Sequence, residues 1–235
     1  MASFGVTTPI VSMVLSIFMG GLAIGSWAAG RIVVRLGDRD SSVPLRLYAG
    51  AELLIGASGI VVPPVLHFGH ALLARSGGQI EWGSAGHHLA SGGWIALALL
   101  PFATAMGATF PLAMDAIKKI DGAGSSRSFS YLYLANVLGA AAGTALAALF
   151  LIEIFGFQGT LWLMAAMNAA LAAAVFALAR SRPVAAAASP ENAPRSRPLD
   201  EFPSSGAATL GLLFMTGLTS MALEVVWIRL LTPYL

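Results

Sequence analysis

The feature that most constrains this chain is a series of apolar runs, each about 20 residues or longer and almost free of charge. That is the length an α-helix needs to cross a hydrocarbon core of about 30 Å. The runs predict membrane spans over residues 9–34, 45–66, 92–114, 130–152, 160–179 and 207–231. They are continuous and rich in Ala, Leu and Gly, whereas the strands of a membrane barrel alternate in polarity over about 10 residues. The expected fold class is therefore all-α, a polytopic membrane helical bundle of about six transmembrane helices. The first run has no Lys or Arg before it and so lacks the basic region of a cleavable signal; it reads as a true span.

Composition narrows the function classes. Of 235 residues, 57% are hydrophobic and only 10% charged, against roughly 25% charged in an average soluble domain. Twenty-four charged groups cannot cover a soluble body of this size, so the bilayer is the first partner. The surplus of two basic groups gives no footprint for nucleic acid. With no cysteine, thiolate metal sites and cysteine nucleophiles are excluded.

Basic residues concentrate in cytoplasmic connections of membrane proteins. Eleven of the 13 Lys and Arg residues fall at three connections: Arg31, Arg35, Arg39 and Arg46; Lys118, Lys119 and Arg127; and Arg180, Arg182, Arg195 and Arg197. Only Arg75 and Arg229 fall on the other side. The expectation is that these three connections are cytoplasmic and that both termini face outward. Residues 67–91, rich in Gly and His, read as an outer loop. Residues 181–206, rich in Ala, Pro and Ser, read as a flexible linker between a five-helix bundle over 1–180 and a last helix within 207–235.

Helices in lipid associate through close backbone approach at small residues. Gly21, Gly25 and Ala29 form one such stripe, and Gly139, Gly143 and Ala147 another. Pro63, Pro64, Pro101 and Pro111 are expected to kink or end their helices.

Ionisable groups inside a span cost at least about 2.5 to 3.5 kcal/mol at mid-bilayer, so each needs a partner or a wet cavity. Arg31, Glu52, Asp115 and Asn136 fall at one depth, which suggests an ion pair between Arg31 and Glu52 or Asp115, as a static pin or as a latch. Glu153, Glu224 and Arg229 fall toward the other side. Gly217, Ser220, Glu224 and Trp227 follow at intervals of three and four, which places the Glu224 carboxylate on a small-residue face turned toward protein, against the first or fourth span. His67, His70, His87 and His88 offer nitrogen ligands, but a Gly-rich solvated loop does not preorganise them. No nucleophile elbow, phosphate loop or H-E-x-x-H motif occurs, so neither a catalytic residue, a metal nor a cofactor is expected in the chain.

Five runs carry a resemblance: FMGGLAIGSWAAGRIVVRLGDR, LRLYAGAELLIGASG, PFATAMGATFPLAMDAI, YLANVLGAAAGTALAALFLIEIFGFQGT and GLTSMALEVVWIRLL. Together they resemble the membrane part of fused major-facilitator/spermidine-synthase-like proteins, and GRIVVRLGDR resembles the basic loop after the second helix of major-facilitator transporters. The resemblance implies a major-facilitator-like repeat in which an E-V-V-W type helix opens each six-helix unit. Glu224 to Trp227 would then begin a second unit, and the chain would correspond to helices two to seven of a larger protein in a bacterial inner membrane. It further implies a membrane anchor or subunit for a partner, either another protein chain or a second copy. Aminopropyl transfer to a polyamine would be carried out elsewhere, since the family's soluble synthase domain has no counterpart here. The alternative expectation is a small carrier of a cationic or amphipathic metabolite.

Overall fold

A computed structural model describes residues 7–36, 42–75, 85–121, 126–181 and 206–231, and all of these are helical. In order they form α1 (Thr7–Leu36), α2 (Ser42–Arg75), α3 (Ala85–Asp121), α4 (Ser126–Leu146), a π-helical turn (Ala147–Leu151), α5 (Ile152–Ser181) and α6 (Gly206–Leu231). Five helices are long and apolar enough to cross a membrane, the 52-residue stretch Ser130–Ser181 being one of them. Over the described residues the chain is thus an all-helical, polytopic membrane-type bundle. Large apolar side chains cover its outer surface, among them Met19, Trp27, Val34, Ile60, Leu149 and Trp162, as expected where the surrounding medium is hydrocarbon.

The helices run past several expected ends. Neither Pro63 nor Pro64 stops α2, and neither Pro101 nor Pro111 stops α3. The expected loop at 67–91 is correspondingly shorter, because 67–75 continue α2 and 85–91 open α3, with 76–84 outside the described residues. His70 therefore lies on α2, and His87 and His88 on α3, while His67 is exposed on α2. The physical reason is that a neighbouring helix can supply the donor that proline lacks. Pro111 leaves the Gly107 carbonyl without its i+4 amide, and the Ser26 hydroxyl of α1 donates to that carbonyl at 2.8 Å. The linker expected over 181–206 lies almost wholly outside the described residues. The break expected between 152 and 160 is narrower than the sequence suggests: helix resumes at Ile152 after the π-turn, and only Gly156 leaves it, at φ 68° and ψ 179°. Such a φ favours glycine, which has no Cβ to collide with the backbone.

Three glycine seams hold the bundle. On α1, a Cβ at Gly25 would lie 1.9 Å from the Thr104 carbonyl oxygen of α3, and one at Gly107 would lie 2.2 Å from the Leu22 carbonyl oxygen. On α4, Gly139 meets Phe214 of α6 and Gly143 meets Leu218, while Gly217 of α6 meets the Asn136 carbonyl oxygen, at 1.9, 2.0 and 2.1 Å from the respective Cβ positions. On α2, Gly56 and Gly59 face Ala165, Asn168 and Leu161 of α5. Accordingly α1 packs on α3, α4 on α6, and α2 on α5 and α3. Gly217 of α6 is thus seated on α4, one of the two helices expected to receive the face that carries it.

At Gly217, even one methyl group must push α6 off α4, a form of overpacking that costs about 1–3 kcal/mol. Gly217→Ala is expected to lower the thermal midpoint of the detergent-purified protein by several degrees. Gly211→Ala on the same helix has no neighbour within 4 Å and is expected to leave the midpoint unchanged or slightly raised, as alanine favours helix.

Candidate functional site

Where α2, α5 and α6 meet, the interior is polar. Tyr48, Glu52, Asn168, Thr216 and Thr219 are all buried, Glu52 completely. Their helical spacing explains the gathering: Glu52, Gly56 and Gly59 recur at i, i+4 and i+7, so the seam that brings α2 against α5 also turns the carboxyl inward. On α6, Thr216 and Thr219 lie one and two residues from Gly217, on flanks that point past α4 toward α2 and α5.

The hydrogen bonds join three helices. Tyr48 Oη contacts Thr216 Oγ1, and Thr216 Oγ1 is 3.0 Å from both Glu52 Oε1 and the Leu212 carbonyl. A threonine hydroxyl has one proton; if it is given to Glu52, the Tyr48 phenol is the donor to Thr216. Thr219 Oγ1 lies 3.0 Å from Asn168 Oδ1, and Asn168 Nδ2 donates at 2.9 Å to the Met164 carbonyl of its own helix. Further along α6, Ser220 Oγ, Glu224 Oε2 and Trp227 Nε1 are buried without a hydrogen-bond partner among the described residues, as is Glu52 Oε2. Glu224 as a residue is 6% exposed.

The expected ion pair between Arg31 and an acid does not form. Arg31 is exposed, with its guanidinium 4.6 Å from the centre of the Trp27 ring one turn earlier on α1. Asp115 pairs within α3 with Lys119, at 2.8 Å, and Glu52 is bonded to Thr216. The reason is packing: α1 lies against α3, while the Glu52 face of α2 looks toward α5 and α6. Equal depth along the bilayer normal therefore does not mean proximity. Asn136 is half-buried, its backbone carbonyl against Gly217. Glu153 and Arg229 are exposed. Of the seven intramembrane candidates, only Glu52 joins this polar cluster; Glu224 is buried further along α6. Tyr48, Thr216, Thr219 and Asn168 are not among the candidates drawn from the sequence, although Thr216, Ser220 and Glu224 recur at four-residue intervals.

A second feature is a groove of about 460 Å³ between α2 and α3. Val61, Pro64, Phe68, Leu97, Pro101 and Phe102 line it, with Trp94, whose Nε1 donates to the Val65 carbonyl at 2.8 Å. Its lining suits hydrocarbon. Among the described residues no group of three or more His, Cys, Asp or Glu residues is placed to hold a metal ion.

Compared with protein-family models, curated proteins and solved structures, the chain finds no match in any of the three.

Losing one member of a buried polar pair leaves the other desolvated, at about 1–3 kcal/mol, whereas replacing an exposed side chain away from such a pair usually changes stability by no more than about 0.5 kcal/mol. Thr216→Val should therefore destabilise the protein by about 1–3 kcal/mol. Lys118→Met, at the exposed position beside the buried Asp115–Lys119 pair, should cost under about 0.5 kcal/mol. Chemical or thermal unfolding in one detergent checks the order, and Tyr48→Phe combined with Thr216→Val should be less than additive.

Proposed function

We propose that this chain is an integral membrane module of the major-facilitator/spermidine-synthase-like kind, serving as an anchor or subunit that positions a partner chain. The 52 residues from Ser130 to Ser181 would extend about 78 Å as one straight helix, more than twice a hydrocarbon core. With the helix broken at Gly156, they make two crossings, and the total is six. Three basic connections lie on the cytoplasmic side. Aminopropyl transfer, if it depends on this module, is carried out by the partner.

The observation that carries this reading is the close backbone packing of the three glycine seams. Helices in such contact form a rigid platform, and the large apolar side chains on its outer surface offer area to lipid and to a second chain. The carrier reading draws on the buried carboxyls of Glu52 and Glu224, and transport measurements discriminate between the two.

Reconstituted in liposomes, the protein is expected to take up no labelled putrescine above empty vesicles. It should form no spermidine from putrescine and decarboxylated S-adenosylmethionine. Native mass spectrometry from membranes is expected to show it with a second chain at fixed stoichiometry. Saturable putrescine uptake overturns the anchor reading in favour of a carrier; spermidine formation by the chain alone overturns the assignment of chemistry to a partner.

A further inference from the structure

Four polar groups on α6 stand in one file. Thr216, Ser220, Glu224 and Trp227 occupy positions i, i+4, i+8 and i+11, which at 100° per residue fall within an arc of about 80° and climb about 16 Å. At one end Thr216 is bonded to Glu52. At the other, Trp227 is two residues from the exposed Arg229. From Ser220 onward each group has a buried polar atom without a partner among the described residues: Ser220 Oγ, Glu224 Oε2 and Trp227 Nε1. Glu224 and Trp227 are each more than nine-tenths buried.

Orphaned buried polar atoms of this kind are ordinarily met by internal water, each water making about three hydrogen bonds. Here the spacing suits it. Side chains four apart on a helix face stand about 5–6 Å apart at Cβ, close to the span of one water that hydrogen-bonds to both neighbours. The chemistry also alternates usefully: the indole N–H only donates, the carboxyl accepts, and the two hydroxyls do both.

We propose that this face of α6 is a water-linked proton path that connects the Trp227 end of the bundle to Glu52. A proton arriving from solvent passes by water to the Glu224 carboxyl. From there each hydroxyl or water on the way accepts one proton on a lone pair and releases its own, until Glu52 receives one. One proton moves, no electrons move and no other bond is broken. The proton arrives at Glu52 Oε1, the oxygen to which the Thr216 hydroxyl is bonded.

The groups facing this path are few. Glu52 is met by Tyr48 on its own helix and by Thr216 from α6. Nearby, Thr219 of α6 is bonded to Asn168 of α5. Among the described residues no Lys, Arg or His comes within 4 Å of Glu52 or Glu224; Lys118 is exposed, Lys119 is paired with Asp115, and Glu153, Arg180 and Arg229 are exposed. No ion pair therefore competes for the proton at either carboxyl. The path is independent of the anchoring role, since it rests on the interior of the bundle and not on any partner.

Hydrogen–deuterium exchange read by infrared spectroscopy on the liposome-reconstituted chain tests it. The carboxylic C=O band of Glu52 is identified by its loss in Glu52→Gln, with pH chosen so that the band is present, and its shift is timed after transfer to deuterated buffer. Exchange in the unaltered protein is expected, slowed at least ten-fold in Ser220→Ala and in Glu224→Gln, with Trp227→Phe intermediate. Ser220→Ala removes one hydroxyl, so it serves if the charge-altering variant fails to fold. Unchanged exchange in folded Ser220→Ala and Glu224→Gln overturns the path. Slowing by Tyr48→Phe alone overturns it as well, since the proton then enters from the opposite end. A Glu52 band absent at every pH overturns it too.

Discussion

In hydrocarbon nothing pushes two apolar helices together, because lipid tails solvate leucine as well as another helix does; association depends on how closely backbones can approach. The contact on which the rest of this structure depends is therefore that of Gly139, Gly143 and Gly217 between α4 and α6. With carbonyl oxygens lying where a Cβ would stand, the two helices have almost no freedom to rotate against each other. That rotation decides which side chains of α6 reach the other helices. Gly217 against α4 sends Thr216 to Glu52 and Thr219 to Asn168, and a turn of α6 by one residue would deliver Met215 and Leu218 there instead.

The seams and the polar interior thus need each other. Glu52 is fully buried and, inside a bilayer, must find its partners within the protein. It finds them because Gly56 and Gly59 on the same face let α2 come close to α5. The same requirement explains the prolines. A freed carbonyl in hydrocarbon would ordinarily end a helix, yet α3 continues through Pro111 because Ser26 donates to Gly107.

Much of the fold is legible in the order of the residues. The apolar runs locate the helices to within several residues except where helix continues past 66, before 92, past 114 and between 152 and 160. The stripes Gly21–Gly25 and Gly139–Gly143 lie at real helix contacts. The site is less legible. Depth can be counted along each run, which groups Arg31, Glu52, Asp115 and Asn136 as polar positions, but an ion pair also needs two helix faces to look at each other. Arg31 lies over Trp27, and Asp115 meets Lys119 on its own helix.

What the sequence alone determined follows from one-dimensional quantities. Run length against membrane thickness sets the helical class, residue spacing sets which side chains share a face, and glycine at four-residue intervals marks where backbones approach. What only the tertiary structure decided is which face meets which neighbour, and hence that Tyr48, Glu52, Asn168, Thr216 and Thr219 form one buried cluster from three helices. Tyr48 and Thr216 stand 168 positions apart, and no local pattern joins them, because the angle at which a helix presents its face is set by its packing partner and not by its own residues.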